Sequence, residues 1–118
     1  MERQRYRELI AWQKAIVLVG EVYRVTKGWP REEMFGLTNQ ARRAAVSVPA
    51  NLAEGQGRTG AKEFLHHLSI ANGSLCETET HLLIGRQLGY IDDPTLNPLL
   101  EQTTEVGRLI HGLMRSLR

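Results

Sequence analysis

Apolar residues along this chain return every three or four positions and at no point alternate at every second one for long enough to suggest a strand. In the first segment, about 7–27, Leu9, Trp12, Ile16, Val19 and Tyr23 trace one helical face. Ala11, Ala15, Leu18, Val22 and Val25 trace a second apolar set beside it. Gly28 suits a helix end, and Pro30 suits the first turn of a second segment, about 31–54, with Glu32 and Glu33 near its N-terminal dipole. There Leu37, Ala41, Ala44, Val48 and Leu52 hold the three-four rhythm straight through Pro49. Two readings follow: one long helix kinked at the proline, which the unbroken phase favours, or a helix that restarts after Ser47. A third segment, about 60–88, aligns Phe64, Leu68, Ala71, Leu75 and Leu82. Gly89 stops it, and Asp93 and Pro94 supply an N-cap and a first helical residue for the last segment, about 94–117. That segment carries Leu96, Leu99, Thr103, Val106, Ile110, Leu113 and Leu117 on one face.

Four helices joined by three short connections predict an all-α fold, an antiparallel up-down-up-down four-helix bundle filling residues 1–118 as a single domain. One stripe suffices for a helix lying on a core, so the second set on the first helix calls for its own partner. Ala11, Ala15, Leu18, Val22 and Val25 are therefore the candidate oligomer interface.

Composition narrows the function classes. The chain has 118 residues, 42% hydrophobic and 24% charged, as in ordinary globular domains. No apolar run approaches the roughly 18 residues of a membrane span. Lys14, Glu21 and Arg24 interrupt the apolar stretch near the N-terminus, which argues against a secretion signal and for a cytoplasmic protein. The single cysteine, Cys76, makes neither an internal disulfide nor a zinc site, and reads as a buried small apolar side chain. The net charge is only +2, yet all basic residues except Lys14, Lys27 and Lys62 are arginines, the residue best shaped for phosphate and carboxylate partners.

Gly55, Gly57 and Gly60 in "EGQGRTG" have the spacing of a dinucleotide-binding turn, but such a turn follows a strand. Ala61 stands where a phosphate-binding loop needs lysine. The glycines read instead as a helical hairpin, with Gly55 left-handed at the helix end and Thr59 capping the next helix. Glu63 and His66 have half the spacing of a di-iron site, without the second copy it requires, so no metal and no cofactor are expected. No serine, nor Cys76, sits in a nucleophile turn with a base, so the chain is not expected to be an enzyme.

A polar line is more informative. Gln40, Ser47, Asn51 and Glu54 share the second helix with Arg42 and Arg43, and Arg58 and Lys62 extend the line into the hairpin. Such a line serves either as a hydrogen-bonded seam between helices or subunits, with Glu54 pairing an arginine, or as a phosphate-contacting surface. In the second case Arg42, Arg43, Arg58 and Lys62 are the nucleic-acid or partner-binding residues.

The segment "FGLTNQARRAAVSVPANLAEGQGR", preceded by "LIAWQKA" and followed by "LSIANGSLCETETHLLIGRQLGYI", resembles the bacterial four-helix-bundle proteins encoded in intervening sequences of large-subunit ribosomal RNA genes. The fold is also similar to the accessory variability protein of diversity-generating retroelements. The resemblance spans about 9–91 and is strongest in the second helix, at Gln40, Arg42, Arg43, Ser47, Pro49, Asn51, Glu54, Gly55 and Arg58, with Glu63, Gly73, Glu77 and Glu79 beyond it. Trp29 replaces a usual phenylalanine, and Val48 and Leu52 replace common isoleucines, changes that leave the fold intact. The resemblance implies a protomer assembled into a ring-shaped homopentamer. In a retroelement setting it implies a reverse transcriptase and its template RNA as partners. Structured RNA or DNA is the expected ligand class, and a protein-binding scaffold without nucleic-acid affinity is the alternative.

Overall fold

The computed structural model describes residues 2–118. It contains four α-helices and, among the described residues, no strand: α1 Ile10–Thr26, α2 Leu37–Gly57, α3 Ala61–Gln87 and α4 Asp93–Ser116. Short 3-10 segments, Glu2–Glu8 and Arg31–Glu33, precede α1 and α2. Each helix packs against its neighbours in sequence and α4 closes onto α1, giving a ring of four around one core. Leu18, Val48, Leu52, Leu68, Leu82 and Ile110 are wholly buried in that core.

The four periodic segments are the four helices, and α2 runs unbroken through Pro49, so it does not restart after Ser47. The boundaries hold four corrections. Pro30 opens the 3-10 turn and not α2, which starts only after Gly36. Glu33 still serves the helix end, since its Oε1 accepts the Leu37 N–H at 3.0 Å while its Oε2 accepts the Tyr90 hydroxyl at 2.9 Å. Both bonds, the backbone one first, hold the Glu33 carboxyl below the usual carboxylate range.

Gly55 is not left-handed. It lies inside α2, buried, where a Cβ would stand 2.7 Å from His67 Cβ, so the glycine lets α3 approach the helix closely. The left-handed residue of that hairpin is Gly60, at φ +96°, and it occupies the N-cap position expected of Thr59. At α4 the cap is Asp92, whose Oδ1 accepts the Thr95 N–H at 3.1 Å, and Asp93 is the first helical residue, paired with Arg86.

Gly89 stops α3 as expected, with φ +80°. The Tyr90 and Gly89 N–H groups donate to the Gly85 and Arg86 carbonyls at 2.8 and 3.1 Å, the paired bonds of a Schellman cap. This turn also holds Trp29 over the core. The indole lies flat on Gly85, where a Cβ would come within 2.6 Å, and its ring centroid is 5.8 Å from that of Tyr90.

The faces of α1 are partly exchanged relative to the expectation. Ala11, Ala15, Leu18 and Val22, offered as an oligomer interface, are between 0 and 2% exposed and form α1's contribution to the protomer core. Val25 packs half-buried against the same core. Ile16 and Tyr23, from the stripe read as inward, face outward, while Trp12 and Val19 of that stripe pack partly buried against the core. Adjacent residues on a helix are about 100° apart, so both stripes cannot be centred on the core. The one with alanines wins because it lets α2 and α4 come close. Cys76, expected to be buried, is exposed.

Candidate functional site

The polar line of α2 turns inward, toward α3. Ser74 Oγ donates to Ser47 Oγ at 2.9 Å, and Asn51 Nδ2 donates to the Ser47 carbonyl and hydroxyl at 3.0 and 3.1 Å. With its amide nitrogen committed there, Asn51 presents Oδ1 to His67 Nδ1 at 3.1 Å, which assigns the ring hydrogen to Nδ1. His67 Nε2 lies 3.9 Å from Glu54, and Glu54 accepts Arg58 Nη2 at 2.6 Å. The Arg58 hydrogen bond keeps the Glu54 carboxyl below its ordinary range. Ser47, Asn51 and Glu54 thus belong to a seam that joins two helices of one protomer. The i, i+4 spacing revealed one side of it, but nothing in the sequence singled out Ser74 and His67 as the other.

Of the basic candidates only Arg58 and Lys62 are brought together. Arg42 is half-buried and occupied. Its Nε donates to Thr26 Oγ1 at 2.9 Å, its Nη2 to the Tyr23 carbonyl at 3.4 Å, and its guanidinium stacks 4.6 Å from the Tyr23 ring centroid. It places a cation on the C-terminal turn of α1, where the helix dipole favours one. Arg43 and Gln40 are exposed, and their side chains have no hydrogen bond or ion pair among the described residues. Arg58 closes the far end of α2, about 22 Å from Arg43 by helical rise, and Lys62 stands in the first turn of α3 beside it. There Arg58 pairs with Glu54 and sits 3.9 Å from Glu63, while Lys62 is exposed and unpaired.

Antiparallel packing gathers side chains that are distant in sequence at each end of the bundle. At one end α2 finishes and α3 begins, bringing Arg58 and Lys62 together, and α1 begins beside the close of α4. Leu9 and Ile10 there share a groove with Leu113 and Ser116. This places Arg5 and Arg7 of the first 3-10 segment, and Arg115 and Arg118 at the close of α4, on the end already holding Arg58 and Lys62. The opposite end is mixed in charge, with Glu32, Glu33, Asp92 and Asp93 beside Lys27 and Arg31, and Asp93 tied to Arg86 at 2.6 Å. Sequence reasoning missed Arg7, Arg115 and Arg118 because they are far apart in the chain and meet only through the topology.

Among the described residues no three His, Cys, Asp or Glu side chains converge as metal ligands, and Glu63 and His66 are exposed. No helix of the described residues is long and apolar enough to cross a membrane.

The model of the 23S rRNA-intervening sequence protein family matches residues 7–112. The chain is also similar to a crystal structure, at 1.70 Å resolution, of a protein of unknown function from the S23 ribosomal protein family of Bacteroides thetaiotaomicron. The identity is 20%, the TM-score 0.80, and the match covers 89% of this chain and 98% of the other. At that identity the likeness carries the fold alone. A comparison with curated proteins found no match.

Proposed function

This chain belongs to the 23S rRNA-intervening sequence protein family, and from that premise we propose that it is a non-enzymatic, oligomeric helical bundle that binds structured RNA through its basic end. The observation that carries the reading is a group of unpaired basic side chains at one end of the bundle. Arg7, Lys62, Arg115 and Arg118 gather at one end without ion-pair partners among the described residues. Arginines free of carboxylates retain their full attraction for phosphate, and releasing counterions from the RNA supplies the affinity. Arg42 does not take part, since its fork is committed to the end of α1.

The assembly proposed with it is a ring of five copies. It is supported by the resemblance of the helix-two segment and by the apolar side chains that the protomer leaves on the outer face of α1, Ile10, Ile16, Val17 and Tyr23. Light scattering should give a mass of about five chains, and a stable monomer would overturn this assembly.

RNA binding is tested with a fluorescent RNA hairpin titrated between about 50 and 200 mM salt. Affinity should fall steeply with salt. Arg7→Glu, Lys62→Glu and Arg118→Glu together should reduce the steepness by about 2.7 in log–log slope, as three lost phosphate contacts require. Arg43→Ala, at the other end, should leave the curve in place. Equal loss from Arg43→Ala would refute the basic end as the site. Absence of any affinity at the low-salt limit would favour a protein-binding scaffold.

A further inference from the structure

A groove of about 530 Å³ runs between α3 and α4, within the size range of small-molecule sites. Its floor is apolar, formed by Leu75 and Gly107. The absence of a side chain at Gly107 keeps the floor open, since a Cβ there would touch Leu75 at 3.4 Å. One wall is a basic stripe, Arg108, His111 and Arg115, set at i, i+3 and i+7 on a single face of α4. By helical rise the two arginines are about 10 Å apart. Neither side chain has an ion pair or hydrogen bond among the described residues, and both are exposed. The facing wall, on α3, carries Asn72, Cys76 and Glu79. Glu79 accepts the Thr103 hydroxyl on Oε2, which orients the carboxylate and leaves Oε1 with no partner among the described residues. The groove runs down α4 toward Arg115 and so opens onto the basic end.

An apolar slot with cations along one wall and an oriented carboxylate near its upper end matches a ligand that is flat and apolar in one part and anionic in another. We propose that this groove holds a single unstacked nucleotide. Its base would lie over Leu75 and Gly107, its phosphate against Arg108 and Arg115, and its exocyclic amine would donate to Glu79. A carboxylate accepts from the N4 amine of cytosine and repels the O4 of uracil, so the groove favours cytidine over uridine. The proposal rests on the RNA-binding reading above and gives it a base-reading element, because contacts to phosphate alone carry no sequence information.

Cys76 provides the readout, as the one thiol in the chain, exposed and in the groove wall. The full chain is treated with iodoacetamide, and Cys76 alkylation is followed by mass spectrometry with and without a short single-stranded oligocytidylate. Anisotropy on the same samples reports binding independently. Bound oligocytidylate should slow alkylation several-fold, and oligouridylate should bind about five-fold or more weakly. Arg108→Gln with Arg115→Gln should abolish the protection with the helical circular dichroism unchanged. Glu79→Gln, whose amide both donates and accepts, should erase the preference for cytidine. Protection by cytidine monophosphate as well would assign a site for free nucleotides, and protection by the oligomer alone a site for RNA. A bound oligomer that leaves Cys76 fully reactive would overturn the groove while the basic-end reading stands. Failure of both the oligomers and the RNA hairpin to bind would overturn the basic-end reading itself.

Discussion

Alanine at position 55 tests how closely α2 and α3 are packed. The added Cβ would stand 2.7 Å from His67 Cβ and 3.0 Å from Phe64 Cδ1, whereas carbon atoms in contact settle at about 3.5–4.0 Å. His67 Cβ is fixed to its backbone and cannot swing aside, so α3 itself must withdraw, by about 1 Å on this comparison. That movement stretches the Asn51–His67 and Ser74–Ser47 hydrogen bonds, now 3.1 and 2.9 Å, beyond useful range. Overpacking costs about 1–3 kcal/mol, and each weakened hydrogen bond about 1 kcal/mol. Against these, replacing a helical glycine by alanine gains about 1 kcal/mol. Gly55→Ala should therefore destabilise the protein by about 2–4 kcal/mol. Gly73, exposed on α3 with nothing within 4 Å of its Cβ position, isolates the favourable term. Gly73→Ala should gain about 0.5–1 kcal/mol. Urea unfolding followed by circular dichroism, at one fixed protein concentration, should show the Gly55→Ala midpoint about 1 M lower with little change in slope. A Gly55→Ala protein as stable as the parent would refute the close approach, as would a Gly73→Ala protein that falls equally far.

Three further outcomes follow from the same geometry. Arg42→Ala should cost about 1–2 kcal/mol by removing the cation and its hydrogen bonds from the end of α1, while Arg43→Ala should stay within about 0.5 kcal/mol; thermal melts of the two variants distinguish them. Asp92→Ala should cost about 1 kcal/mol as a lost N-cap, and Asp93→Ala less than about 0.5 kcal/mol, since only an exposed ion pair is removed; urea midpoints in the reverse order would disprove the cap assignment. Because the folded Glu33 carboxyl titrates below its unfolded value, its contribution is fully present above the unfolded pKa of about 4.3 and disappears as pH falls through the lower folded value. Stability measured against pH should thus fall less steeply on acidification below about pH 4.5 in Glu33→Gln than in the parent, and parallel curves would count against that bond pair.

The helices were legible because each carries a long three-four stripe, and the steady phase through Pro49 correctly favoured one helix. What the sequence withheld is orientation. On α1 both stripes are apolar, and larger side chains made the wrong one look like core, whereas Ala11 and Ala15 are buried because small residues permit close packing. Gly55 misled for a related reason, since glycine serves both a left-handed turn and a close approach and only the position of α3 decides between them. The seam was half legible. Ser47, Asn51 and Glu54 line up on one helix, but their partners Ser74 and His67 are distinguished by no local pattern. Arg42 and Arg43 are adjacent and chemically alike, yet neighbouring helical residues point about 100° apart, so one became a cap and the other stayed in solvent.

The ring of helices also sets an order of assembly. Three of its four helix contacts join segments adjacent in the chain, and the α2–α3 hairpin, closed by a three-residue turn of residues 58–60, is the most local and the most tightly tied. Local contacts form early because little loop entropy opposes them. The α1–α4 contact instead joins the two ends of the chain, with one ion pair, Lys14 to Glu105 at 3.7 Å, across it. Folding should therefore begin at the α2–α3 hairpin and finish where α4 meets α1. The same junction is where the native protein should open first, so amide protons of α1 and α4 should exchange with solvent ahead of those flanking Gly55 and Ser74.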